Sequence, residues 1–164
     1  MQTMADAINA SADPVIISHT AGMALHKNVR NTTDENLRLL ASKGGVVGIC
    51  QMRPFLTTKR EGALADYFRH IDHAVKLIGA DHVAIGSDRD HRVVEMNDAY
   101  IADLKREEGA NFNEADWALF IDEPNGARRM EVVWEGVRKL GYAPGDVEKI
   151  LGTNLRRIYQ DVIG

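Results

Sequence analysis

Three short apolar runs limit what this chain can fold into: Pro14 to Ser18 (PVIIS), Gly45 to Cys50 (GVVGIC) and His82 to Gly86 (HVAIG). They are rich in β-branched residues, too short for helices, and lack the alternation of a strand with one wet face. Each therefore reads as a strand buried on both faces. Amphipathic helical patterns separate them. A strand that returns through a helix re-enters the sheet in the same direction, so the sequence predicts βαβ architecture with a parallel sheet.

The connecting patterns have defined starts and stops. Gln2 to Ala10 reads as a helix with Met4, Ala7 and Ile8 on one face, and no strand precedes it. Thr32 and Glu35 fit a capping box ahead of Leu37, Leu39 and Leu40, and Gly44 marks the end. Leu64, Phe68, Ile71, Val75 and Ile78 form one stripe of a helix over Ala63 to Ile78, with Gly79 as its stop.

Beyond the third strand the pattern loosens between 91 and 125, a connection long enough to be functional or mobile. Within it Asp98 to Glu107 reads as a helix ending at Gly109, and Phe112 to Pro124 as irregular. A further helix runs through Met130, Val133, Val137 and Leu140 to Gly141. Pro144 opens a short helix, and Asn154 to Ile163 forms the last. No repeat or Pro/Gly-rich linker divides the chain, so residues 1–164 are expected to form one unit, or part of one.

Composition narrows the function classes. With 45% hydrophobic and 27% charged residues the chain has the balance of a globular protein. A net charge of −4 and a pI of about 5.8 provide no basic field for phosphate backbones, which argues against nucleic-acid partners. A single cysteine, Cys50, cannot form an internal disulfide, so a zinc site would draw on His, Asp and Glu. No apolar stretch reaches the roughly 18 residues of a transmembrane segment, and the N-terminus lacks a secretory pattern. The chain as written is thus expected to be soluble and cytoplasmic.

In α/β barrels functional groups gather at the C-terminal ends of the strands. That rule selects His19 at the end of the first run, Gln51 and Arg53 after the second, and Asp88 and Asp90 after the third. His19 reads as a metal ligand or base, or as a strand-end histidine bonded to a carbonyl. Asp88 reads as a site carboxylate beside a glycine, or as a turn cap. Arg30 has the planar fork that binds a carboxylate, and reads equally as an exposed loop residue. His70 and His73 are spaced like a metal pair, but their place on a covering helix, far from the strand ends, favours packing or surface bonding. His26, His82 and His91 read as structural or exposed. Trp117 and Phe120 read either as part of a substrate lid or as aromatic pins.

Taken together, PVIISH (14–19), VRN (29–31), GGVVGIC (44–50), HIDH (70–73), HVAIGSDRD (82–90) and KILGTNLRRIY (149–159) resemble the renal (membrane) dipeptidase family in order and spacing. The resemblance implies the C-terminal portion, about three βα units, of a TIM-like (β/α)8 barrel whose members hydrolyse dipeptides with two zinc ions. It implies that His19 ligates one zinc, that Arg30 binds the substrate carboxylate, and that Asp88 contacts the substrate amino group and assists proton transfer. His91 and Arg92 depart from the familiar pattern, so the substrate is read broadly as a dipeptide or small amide.

The family's first-strand His-x-Asp pair, its bridging glutamate and a further histidine have no counterpart in these residues. At 164 residues the chain is also short of the roughly 250 of a closed barrel. A truncated or split chain, inactive alone, is therefore expected. Exposed strand edges should favour self-association, and a homodimer or a complementing N-terminal half are the partners to look for. The other reading is a non-catalytic half-barrel that acts as a subunit or interaction domain.

Overall fold

The computed structural model describes residues 2–89 and 92–164, and its framework is a three-stranded parallel sheet in the order β1 (Ile16–Thr20), β2 (Val46–Cys50), β3 (Val83–Ser87). Ile17 pairs with Val47 and Val47 with Val83, so the strand ends that follow each run lie at one edge of the molecule. Each strand starts one or two residues later than the sequence predicts. The first also extends past His19, because Thr20 still pairs with Ile49 across a register shift.

Only β2 is buried along its whole length. In β1 up to His19 and in the second half of β3 the residues are half-buried or exposed, which corrects the expectation that all three strands are covered on both faces. The reason is position in the sheet. With three strands, β1 and β3 are both edges, a property that no run of β-branched residues discloses.

The sheet is sharply curled. A Cβ on Gly48 would lie 2.3 Å from the Ser18 carbonyl oxygen and 2.7 Å from the Gly86 Cα, and one on Gly86 would lie 2.6 Å from the same oxygen. Backbone from all three strands meets there, and only glycine leaves room for it.

Among the described residues eight α-helices surround the sheet: α1 (Gln2–Ala10), α2 (Asp34–Ser42), α3 (Arg53–Leu56), α4 (Ala63–Ile78), α5 (Asp98–Glu108), α6 (Arg129–Lys139), α7 (Pro144–Glu148) and α8 (Asn154–Ile163). The cap of α2 is Thr33 rather than Thr32: its hydroxyl accepts the Asn36 N–H, whereas Thr32 is buried and shares a 3.1 Å hydrogen bond with the Thr20 hydroxyl. Capping needs an extended residue with a free hydroxyl, and Thr32 spends its own on the strand end. Pro54 at the start of α3 is the signal by which that helix could have been found.

Alternation along the strands sends side chains to two cores. Val47, Ile49 and Val83 join Leu37, Leu40, Tyr67, Ile71, Val133 and Val137, from α2, α4 and α6, in the larger cluster. Val46 and Ala84 meet Ile158 of α8 on the other side. Asn154 fixes the start of α8 by donating to the Ala80 and Val83 carbonyls at 2.6 and 2.8 Å. Among the described residues no helix is long and apolar enough to cross a membrane.

Candidate active site at the strand ends

His19 and Asp88 meet at the C-terminal edge of the sheet. The imidazole Nε2 of His19 lies 3.9 Å from Asp88 Oδ2, and its Nδ1 is 2.8 Å from the Ser18 hydroxyl. Holding one ring nitrogen fixes the ring and leaves the other aimed at the carboxylate, the arrangement used by histidines that bind a metal. Both side chains keep about a third of their surface exposed, 36% for His19 and 33% for Asp88, so a ligand can reach them.

The backbone under Asp88 is unusual. Ser87 and Asp88 both adopt the left-handed region, with φ of 55° and 58°. For non-glycine residues this costs roughly 1 kcal/mol each, and such strain is concentrated at functional turns. Asp88 N–H is held by the Gly86 carbonyl at 2.8 Å, and the Ser87 carbonyl accepts the Gln51 N–H at 2.8 Å. The turn lifts the Asp88 carboxylate out of the sheet edge.

Beneath the pair lies Cys50, whose Sγ is 3.9 Å from Asp88 Oδ2. Burial, reinforced by the Asp88 charge, pushes its thiol up to about 12, while the Met52 N–H and the Arg30 charge pull the other way. Without a metal beside it the thiol thus stays protonated at neutral pH. Its place in the floor of the site could not be read from a lone cysteine in an apolar run.

Arg30 lies in the loop after β1. Its N–H is bound by Asn28 Oδ1 at 3.0 Å, its carbonyl accepts the Thr20 hydroxyl at 3.2 Å, and its guanidinium sits 5.0 Å from the centre of the Phe55 ring. The ring places the cation without neutralising it. Because the Arg30 and Asp88 charges both act on the Cys50 thiol, the three belong to one end of the sheet.

Other residues selected by the strand-end rule have different tasks. Gln51 is fully buried, bonded to the Tyr67 hydroxyl at 3.3 Å and to Ser87 at 3.4 Å. Arg53 is also buried. It donates to the carbonyls of Ala118 (2.7 Å), Ala115 (3.0 Å) and Thr57 (3.3 Å), and so anchors the long connection instead of facing the site. Asp90 and His91 lie outside the described residues.

The histidines of α4 are structural, as expected, although His70 is neither on the surface nor far from the strand ends. It is buried, accepts the Gly22 N–H on Nδ1 at 3.0 Å, and reaches the Leu56 carbonyl with Nε2 at 3.0 Å. Burial lowers its pKa to about 4, so the ring is neutral. His73 joins Asp34 at 2.9 Å, His26 the Pro54 carbonyl and His82 the Gly45 carbonyl. Phe120 is a pin, paired through its backbone with Met52 and covered by the Arg89 guanidinium at 4.2 Å. Trp117 packs on Tyr100 with ring centres 5.9 Å apart.

His19 and Asp88 offer one imidazole and one carboxylate, and no group of three or more metal-binding side chains occurs among the described residues. A catalytic zinc takes about three protein ligands. These residues fit one arm of such a site and not the whole of it.

Comparison with known proteins decides the family. The profile described as membrane dipeptidase, peptidase family M19, matches residues 1–104. The chain belongs to the membrane dipeptidase family. Dipeptidase ataJ of Aspergillus terreus is 42% identical over 163 residues, covering 98% of this chain and 33% of the relative. Dipeptidase tcpJ of Claviceps purpurea is 29% identical over 163 residues, covering 98% and 32%. Among solved structures, an amidohydrolase of Pseudomonas aeruginosa superimposes with a TM-score of 0.81 at 26% identity, covering 98% of this chain and 49% of the other. The dipeptidase AC, a metallopeptidase of family M19, gives 0.74 at 21% identity, covering 98% and 40%. This dipeptidase-family chain thus spans about a third of the curated relatives' length and less than half of these solved chains.

Proposed function

We propose that these residues form the C-terminal part of a zinc-dependent dipeptidase barrel, in which His19 is a metal ligand, Arg30 receives the substrate carboxylate and Asp88 receives its amino group and handles a proton. The observation that carries this reading is the approach of His19 Nε2 to Asp88 Oδ2, with the ring steadied by Ser18, at the end of the sheet that Arg30 shares. The match to dipeptidases over nearly the whole chain supports the substrate class.

A dipeptide carries a negative charge at one end and a positive charge at the other. Arg30, backed by Phe55, suits the first through two parallel hydrogen bonds. Asp88, raised on its strained turn, suits the second and can take up or release a proton as the amide nitrogen leaves. Water activation belongs to the metal, and the ligands described here cannot hold one tightly without further histidines and acids. Hydrolysis by this chain is therefore expected only when strands carrying those ligands are supplied.

The test is zinc content and dipeptide hydrolysis for the 164-residue chain alone and after mixing with a fragment that supplies the missing strands. Activity that appears in the mixture and is lost with Asp88→Asn supports the reading. A chain that stays zinc-free and inert in every mixture, while forming a stable stoichiometric complex, would instead be a non-catalytic half-barrel.

A further inference from the structure

Asp88 is clamped on both sides, and both clamps lead back to the residues that follow β2. On one side the Ser87 carbonyl accepts the Gln51 N–H at 2.8 Å. On the other, Arg89 reaches across to the far end of the long connection. Its guanidinium donates to the Ile121 carbonyl at 3.4 Å and to Asn125 Oδ1, and lies 4.2 Å from the centre of the Phe120 ring.

The groups that Arg89 grips are themselves held. Phe120 and Ile121 are buried, Phe120 pairs with Met52, and the neighbouring Leu119 carbonyl accepts the Arg53 N–H at 2.8 Å. Asn125 fastens Val94 through both backbone groups, accepting its N–H at 3.2 Å and donating to its carbonyl at 2.8 Å. A planar fork set against two fixed acceptors, with an aromatic ring on its face, has one orientation. The backbone of Arg89 is therefore fixed relative to the end of β2.

We propose that Arg89 is the positioning residue for Asp88: by gripping residues 120–125 it holds Ser87 and Asp88 in their left-handed turn and so aims the carboxylate. The proposal rests on the role given above to Asp88 and adds what keeps that side chain in place. The argument is one of strain. Neither residue is glycine, yet their φ angles are 55° and 58°, and such a conformation persists where its surroundings over-determine it. The bond from Asp88 N–H to the Gly86 carbonyl is made within the turn and cannot supply that constraint from outside. Gln51 supplies it before Asp88 and Arg89 after it.

Thermal unfolding of the 164-residue chain tests the clamp without any activity. Ser87→Gly removes the left-handed strain at that residue. It should shift Tm by about 2 to 4 °C more in the parent chain than in an Arg89→Met background, where the turn has already relaxed. Equal shifts in the two backgrounds would mean that Arg89 does not hold the turn, and would overturn the proposal.

In the complemented enzyme Arg89→Met and Asn125→Ala should each lower kcat by about tenfold or more with KM little changed, because a misplaced proton carrier slows the chemical step. The double variant should lose no more than Arg89→Met, since the two residues act as one unit. Arg89→Lys keeps the charge without the fork and should behave like Arg89→Met. Full kcat in Arg89→Lys, losses that multiply in the double variant, or a change confined to KM would each overturn the proposal. If no mixture is active, or if Asp88→Asn keeps full activity, the reading of Asp88 falls, and the unfolding comparison alone decides whether Arg89 holds the turn.

Discussion

The Gly22 amide donates to Nδ1 of His70 at 3.0 Å, which ties the loop after β1 to the middle of α4 and fixes the proton of His70 on Nε2, where it is given to the Leu56 carbonyl. One buried ring thus satisfies two loops at once, and it can do so only while neutral.

A pH dependence follows. The ring titrates near 6.5 in the unfolded chain and at about 4 in the fold, so between these values the unfolded state binds more protons. The stabilisation is fully present above pH 6.5 and is lost as pH falls towards 4. Urea unfolding at pH 7.5 and 4.5 is expected to differ by roughly 2 to 3 kcal/mol from this group. The carboxylates of Asp66, Asp72 and Asp81, all held below the usual range by hydrogen bonds to cationic and hydroxyl partners, add their losses at lower pH. A His70→Gln variant should be less stable at pH 7.5 and should lose most of the pH 4.5 to 6.5 slope. An unchanged slope would place the titrating group elsewhere.

The curl of the sheet gives a second prediction. Because a Cβ at Gly48 or Gly86 would meet backbone of the neighbouring strands at 2.3 to 2.7 Å, no side-chain movement can relieve the clash. Gly48→Ala and Gly86→Ala are each expected to cost at least about 3 kcal/mol, at the upper end for overpacking, read as a large drop in Tm or failure to fold. Gly126, whose Cβ would meet nothing within 4 Å, is the control: Gly126→Ala should leave Tm nearly unchanged.

Arg53 supplies a third. Its fork spans carbonyls on both sides of the connection, a geometry that a lysine ammonium cannot reproduce. Arg53→Lys is expected to cost about 2 to 4 kcal/mol, and to release the segment around 115–118. Limited proteolysis and amide exchange should show that segment opening while α4 and α6 stay protected. Uniform protection in the variant would mean that the aromatic contacts of Trp117 and Phe120 suffice.

Local signals in the sequence carried most of the helices, because caps and stops are encoded within a few residues. Asn97, Gly109 and Gly141 bound their helices where side chain and φ require. What the sequence withheld depends on partners distant along the chain. That β1 and β3 are edges follows from the number of strands, and that Thr32 is unavailable as a cap follows from Thr20, twelve residues earlier. The strand-end rule singled out His19 and Asp88, and the structure brings them within 3.9 Å because parallel strands deliver their C-terminal ends to one edge. The same rule misled at Gln51 and Arg53, whose side chains turn inward to Tyr67 and to the 115–118 carbonyls, contacts made through residues as many as 65 positions away.

Asp88 can be tested in the complemented enzyme. If its carboxylate contacts the substrate amino group and carries the proton to the leaving nitrogen, Asp88→Asn keeps the shape and the tolerance for φ 58° but removes the charge and the base. The fold should then be unaffected by circular dichroism while kcat falls by about 10² to 10⁴. Arg30→Lys, which keeps the charge but loses the fork, should act mainly on KM. A variant pair in which Asp88→Asn changes only KM and Arg30→Lys changes only kcat would reverse the two assignments. An Asp88→Asn enzyme with full activity would leave His19 as the one residue of the pair tied to the chemistry.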